Sequence, residues 1–104
     1  MAAYSLSEKA VSDLDGIYEY TILNFGLEQA QVYLLGLHER FQILGDTPSI
    51  GRSAAQLAPE LRRHEYKSHI IFYIPKETGV LIARVLHTRM DAERQFAESD
   101  EHRT

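Results

Sequence analysis

Residues 61–91 read LRRHEYKSHIIFYIPKETGVLIARVLHTRMD, and this stretch decides the fold. It holds three runs rich in Ile, Val, Leu, Phe and Tyr, namely Leu61–Tyr66, His69–Ile74 and Val80–His87. β-branched and aromatic side chains of this kind suit a pleated, largely buried surface. Lys67-Ser68 leaves room only for a tight join between the first two runs. Pro75-Lys76-Glu77-Thr78-Gly79 reads as a hairpin loop, with glycine where a positive φ is needed. Joins this short connect antiparallel neighbours, because parallel strands need a crossover of a dozen residues or more. The stretch therefore predicts a three-stranded antiparallel meander.

Working upstream, the pattern changes from strand to helix. Ala2–Leu6 is an opening strand in which Tyr4 and Leu6 alternate with Ser5. Ser7 has the chemistry of an N-cap, and Glu8 suits the first helical turn. Ala10, Val11, Leu14, Ile17, Tyr18, Ile22 and Phe25 then recur every three or four residues, leaving Asp13, Asp15 and Glu19 for the solvent face. Gly26 is placed to stop this helix. Leu27, Ala30, Leu34, Leu37, Phe41 and Leu44 define a second helix, so the two form an antiparallel hairpin. Gly36 within it suits a close helix crossing, and Gly45-Asp46-Thr47-Pro48 ends it. Residues 46–60 form a long connection through Pro48, Gly51 and Pro59, with a turn of helix at Ala54–Leu57. Downstream, Asp91 caps a short helix over Ala92–Ala97, followed by a tail, residues 98–104, expected to fray.

The order β-α-α-β-β-β plus a short C-terminal helix makes this an α+β chain, with residues 1–104 as one domain. The helical hairpin should cover one face of an antiparallel sheet and leave the other free for a partner. The 104 residues are 44% apolar and 25% charged, which excludes wholesale disorder. The longest apolar run, Ile70–Ile74, is far short of the roughly 18–20 residues that span a membrane. The N-terminal residues lack the basic start and apolar stretch of a signal peptide. Without cysteine there is neither a disulfide framework nor a thiolate metal site, in keeping with a reducing compartment.

The net charge of −4 conceals a division. Residues 1–51 carry −5, residues 52–89 carry +4, and residues 90–104 carry −3. An acidic chain is poorly suited to direct, non-specific nucleic-acid binding, although the basic middle can meet an anionic partner.

Motifs for catalysis are absent: there is no phosphate-binding glycine loop, no His-Glu-x-x-His and no Gly-x-Ser-x-Gly. His38, His64, His69, His87 and His102 are scattered rather than spaced as metal ligands, so neither a metal nor a cofactor is expected. Arg62, Arg63, Tyr66, His69, Tyr73, Arg84, His87 and Arg89 lie on or beside the meander strands. A metal-free ribonuclease uses such groups to remove a 2′-hydroxyl proton and to stabilise the phosphate. Against this, Arg84 and His87, three residues apart, point to opposite faces of a regular strand. The ordinary reading is a solvated sheet face with ion pairs. Tyr4, Tyr18, Tyr33 and Phe41 fall at core periodicity, and His87 beside an apolar run reads as a hydrogen-bonded, half-buried side chain. Gly51-Arg52 is either a simple turn or the seat of a functional arginine.

Taken together, the motifs resemble a known family. Leu6-Ser7-x-x-Ala10-x-x-Asp13-Leu14-x-x-Ile17-x-x-Tyr20 is followed by Phe25-Gly26-x-x-x-Ala30-x-x-Tyr33 and Pro48-x-x-Gly51-Arg52. Then come Leu61-Arg62-Arg63, Tyr66-Lys67-Ser68-His69-x-Ile71-x-Tyr73 and Arg84-Val85-Leu86-His87-x-Arg89-x-Asp91. In order and spacing, over residues 4–95, these are similar to the ParE toxins of bacterial toxin–antitoxin systems. One departure is Glu60, where many relatives carry Gly.

The resemblance implies a RelE/ParE-type fold and a cytoplasmic toxin that poisons DNA gyrase without turnover of its own. It also implies neutralisation by a ParD-type antitoxin with a ribbon-helix-helix domain. On that basis Arg52, Arg62, Arg63 and Arg89 are expected to face the target, and Leu14, Tyr18, Tyr33, Leu37 and Phe41 the antitoxin. Gly51, Tyr73, Arg84, His87 and Asp91 are expected to be structural, with the last three tying the strand end to the C-terminal helix. The acidic helices favour Arg and Lys on the antitoxin segment. The alternative from the related branch is a ribosome-dependent mRNA endonuclease.

Overall fold

The structure, a computed structural model, describes residues 3–101, and of 98–101 only the helical backbone. Strand β1 (Tyr4–Leu6) leads into helices α1 (Glu8–Phe25) and α2 (Leu27–Asp46). A 3₁₀ turn at Pro48–Ile50 precedes β2 (Arg52–Ser53), β3 (Arg62–Tyr66), β4 (His69–Lys76) and β5 (Gly79–His87), and α3 (Ala92–Glu101) closes the order. The helix boundaries follow local chemistry. Ser7 Oγ accepts from Ala10 N at 3.0 Å, and Gly26 takes φ 94°, its N–H closing α1 on Ile22 O. The Asp91 carboxylate accepts from Arg94 N at 3.2 Å and so caps α3. Helix α3 runs to Glu101 rather than ending at Ala97, and the fraying expected at 102–104 lies outside the described residues, as does His102.

The sheet order is β1-β5-β4-β3-β2. The meander β3-β4-β5 is antiparallel as expected, whereas β1 pairs parallel to β5, Tyr4 opposite Val80 and Leu6 opposite Ile82. A parallel pair needs a long crossover, and the helical hairpin with three strands supplies it. Both meander turns contain two residues, with Tyr66 opposite His69 and Lys76 opposite Gly79. Pro75 therefore lies in β4, not in a five-residue loop. Pairing with β3 stops at Tyr73, so Pro75 sits where β4 has lost one neighbour and a missing N–H costs little. The expected helical turn at 54–57 is a hydrogen-bonded turn, Leu57 N to Ala54 O, after the short edge strand β2.

The hairpin covers one sheet face. Ala10, Ile17, Leu37, Phe41 and Leu44 pack there against Ile71, Tyr73, Val80, Ile82 and Val85. Gly36 does not serve a helix crossing: a Cβ there would stand 1.9 Å from the Tyr66 hydroxyl, so the glycine admits a tyrosine from β3.

The opposite face is not free. Ala54, Leu57 and Leu61 from the connection, and Ala92 and Phe96 from α3, cover Ile70, Phe72 and Leu86, with Phe72 and Phe96 edge to face at 5.3 Å. Ile70–Ile74 shows no polar alternation, and a strand of that composition needs cover on both sides.

Candidate functional site

Beyond Leu6 the edge of β5 has no strand beside it, and α1 completes its hydrogen bonds. Ser7 N donates to Ile82 O at 3.0 Å, and Ser7 Oγ to Ala83 O at 2.7 Å. Asp13 Oδ2 accepts from Val85 N at 2.9 Å and from Arg84 Nε at 2.8 Å, while Oδ1 accepts from Arg84 Nη2 at 2.9 Å. Asp13 is thus half-buried rather than on the solvent face, and Arg84 ties β5 to α1 rather than to α3. The shared hydrogen bond holds the Arg84 pKa above its ordinary value, partly offset by burial. A shift in register between Phe72 and Tyr73 leaves Ala83 of β5 as an extra residue, while Arg84 to His87 pair in unbroken register with Phe72 to His69.

Where β5 and α1 diverge, a groove of about 880 Å³ opens. Ile17, Tyr20 and Phe25 of α1, Tyr33 of α2, Lys67–His69 of the β3–β4 turn, and Val85, His87 and Met90 line it. Its outer rim is apolar and accessible, with Phe25 at 67% and Tyr20 at 62% exposure. In its lining His69 and His87 are cross-strand partners, ring centroids 5.3 Å apart, and the Tyr33 hydroxyl lies 2.7 Å from His69 Nδ1. The Lys67 ammonium rests on the Tyr33 and Tyr66 rings at 5.8 and 5.5 Å. Burial, and secondarily His87, lower the His69 pKa against a smaller opposing pull from Asp13. Burial raises that of Tyr33.

Of the five residues expected to meet the antitoxin, Tyr33 alone lines this groove. Leu37 and Phe41 are 0% and 2% exposed, sealed between hairpin and sheet, so they serve packing and not a surface. Leu14 packs half-buried on the same core, and Tyr18 is half-buried away from the groove. Sequence periodicity marks the inward face of α1 but not the neighbouring strip of Asp13, Gly16 and Tyr20, which the groove uses.

The four arginines do not form one surface. Arg52 and Arg63 are cross-strand partners, with Arg52 paired to Glu65 at 3.3 Å and Arg63 over the Phe72 ring at 5.7 Å. Arg62 pairs with Tyr73 and turns toward the loop, donating to Gly51 O and Ser49 O. Arg89 is exposed at the other end of the meander, past His87, whose Nδ1 accepts from Arg89 N.

Tyr73 is wholly buried, donating to Pro48 O at 2.7 Å and accepting from Gly51 N at 2.9 Å. A Cβ on Gly51 would stand 2.3 Å from that hydroxyl, which explains Pro48-x-x-Gly51 as a loop clamped by Tyr73 and Arg62. Among the described residues no group of three or more His, Asp or Glu could hold a metal, and no helix is long and apolar enough to cross a membrane.

The family model for the ParE toxin of the type II toxin–antitoxin system parDE matches residues 4–92. The chain belongs to the ParE toxin family. Toxin ParE1 of Mycobacterium tuberculosis is 35% identical over 94 residues, covering 89% of this chain and 96% of that one. Toxin ParE1 of Caulobacter vibrioides is 36% identical over 94 residues, covering 88% and 95%. A solved structure of the chromosomal ParDE system from P. aeruginosa superposes with a TM-score of 0.71 at 21% identity, covering 84% of this chain and 96% of that one, and so shares the fold. As a ParE toxin the chain is the toxin half of a toxin–antitoxin pair and not an enzyme.

Proposed function

We propose that this ParE toxin inhibits DNA gyrase and thereby blocks replication, and that a ParD-type antitoxin with a ribbon-helix-helix domain neutralises it in the bacterial cytoplasm. The antitoxin's C-terminal segment lies in the groove between α1 and the β5 end. The observation that carries this placement is the groove itself, with Tyr20 and Phe25 exposed at 62% and 67% on its rim. Apolar side chains left accessible around a concavity suit an amphipathic segment docking by its apolar face. Asp15, Glu19, Glu28 and Glu39 on the exposed hairpin surface attract Arg and Lys flanking those anchors.

Target contact falls to the exposed Arg52, with the half-buried Arg63 as its cross-strand neighbour, and to the exposed Arg89 at the opposite end of the meander. Arg62 is held by the 48–51 loop, so its replacement by Ala acts first on the fold. Direct DNA binding is not expected of a chain with net charge −4, and operator contact is the antitoxin's.

A supercoiling assay with purified gyrase tests the reading. The toxin should inhibit, added antitoxin should relieve inhibition, and Arg52→Ala and Arg89→Ala should inhibit less while still binding antitoxin. Transcript cuts that depend on the ribosome, with supercoiling untouched, would assign the chain to the endonuclease branch.

A further inference from the structure

The charges lining the groove differ in sign from the protein as a whole. The chain is acidic, yet among the described residues the one acid in the lining is Asp13, and Arg84 and Val85 N occupy both of its oxygens. Lys67, His69 and His87 are the other ionisable groups there besides Tyr20 and Tyr33. All three lie close together, Lys67 in the β3–β4 turn and His69 opposite His87 where β4 begins and β5 ends. Lys67 contacts ring faces, which leave its ammonium free to meet an anion.

Resting on the reading that the groove seats the antitoxin, we propose that Lys67, His69 and His87 form a subsite for one carboxylate of the antitoxin segment, an Asp or Glu side chain. The segment enters with its apolar anchors against Ile17, Tyr20 and Phe25 and places the acid at the β3–β4 turn. The imidazoles face Tyr33 from α2, the Asp13–Arg84 pair from α1 and β5, and Lys67 with Tyr66 from the β3–β4 hairpin. In the free toxin burial and, secondarily, the second imidazole act against a proton on His69 and outweigh the pull of Asp13, whose carboxylate Arg84 pairs. A carboxylate arriving beside them reverses the balance, so binding takes up protons and the complex tightens as pH falls.

Two measurements on the toxin and its co-expressed antitoxin test this. The dissociation constant should fall about tenfold from about pH 8 to about pH 5.5, and the ring signal of His69 should titrate at higher pH in the complex than in the free toxin. Lys67→Met should weaken binding throughout that range while leaving the pH dependence. A His69 titration that stays put or moves downward in the complex would overturn the subsite, the downward case pointing to a cationic side chain there.

Gly16→Trp separates this failure from failure of the groove reading. A Cβ at Gly16 meets nothing within 4 Å, so the indole enters the groove without disturbing the fold. Wild-type affinity in Gly16→Trp would remove the antitoxin from the groove, and the subsite with it. Weakened binding combined with an unmoved His69 titration would keep the groove and overturn the subsite alone.

Discussion

Asp13 and Arg84, 71 residues apart in sequence, meet in a two-pronged ion pair at 2.8 and 2.9 Å, with their side chains 14% and 13% exposed. The same carboxylate accepts Val85 N, so it finishes the open edge of β5 while holding α1 against it. Asp13 also lines the groove, so a contact set by folding pairs the acid of that wall with Arg84.

Removing one partner of this pair strands the other in a poorly solvated site. Asp13→Ala is expected to cost about 3 kcal/mol, more than Arg84→Met in an Asp13→Ala background. Urea unfolding of both single variants and the double variant measures the coupling. Additive losses would show that the pair contributes only as two independent side chains.

The Tyr73 clamp is expected to matter through its hydroxyl alone. Tyr73→Phe keeps the ring in the core but leaves Pro48 O and Gly51 N without their partner, at a cost of about 1–3 kcal/mol in denaturant unfolding. Gly51→Ala should destabilise as well, because its Cβ meets both that hydroxyl and Arg63 O, at 2.3 and 2.7 Å.

Glu60 adopts φ 63°, a left-handed conformation that a side chain disfavours. Glu60→Gly should raise stability by about 0.5–1 kcal/mol, the relief of strain exceeding the added entropy of the unfolded chain. A thermal melt suffices to check it. A fall in melting temperature would mean that the Glu60 side chain contributes more than its backbone costs.

Free toxin should lose stability in mild acid. His69 and His64 have pKa values lowered in the folded state from an ordinary 6.5, chiefly by burial. The unfolded chain therefore binds more protons near and below that value, and stability rises with pH through this window. It is present above about pH 6.5 and is lost as pH falls through the folded values. Unfolding free energies of wild type and His69→Gln across this range should show a shallower slope in the variant. Antitoxin binding opposes the same loss if it protonates His69, so free and bound toxin should diverge most at acid pH.

Local signals made much of the architecture legible. Ser7, Gly26 and Asp91 mark helix ends because capping is settled within a few residues, and Lys67-Ser68 marks a turn because its flanking runs are too close for any other join. The departure at Glu60 also marked a real backbone feature. What local reading mislaid was partnership. Ile70–Ile74 lacks alternation, which signals cover on both faces, yet nothing nearby names α3 and the 54–61 connection as that cover. Asp13 and Arg84 both stand in the family-like motifs, but periodicity assigns Asp13 to solvent because a helical wheel cannot know that β1 ends at Leu6 and leaves the β5 edge open.

The sequence by itself determined the element types, the antiparallel meander, the helical hairpin and the family. Those follow from side-chain periodicity and turn chemistry, which act between residues near one another along the chain. Only the tertiary structure decided that Leu37 and Phe41 are core, that Arg62 clamps a loop, and that Tyr33 meets His69 across 36 residues in the lining of a groove. Strand register and the packing of α1 on β5 set those meetings, and both are fixed by the whole core at once.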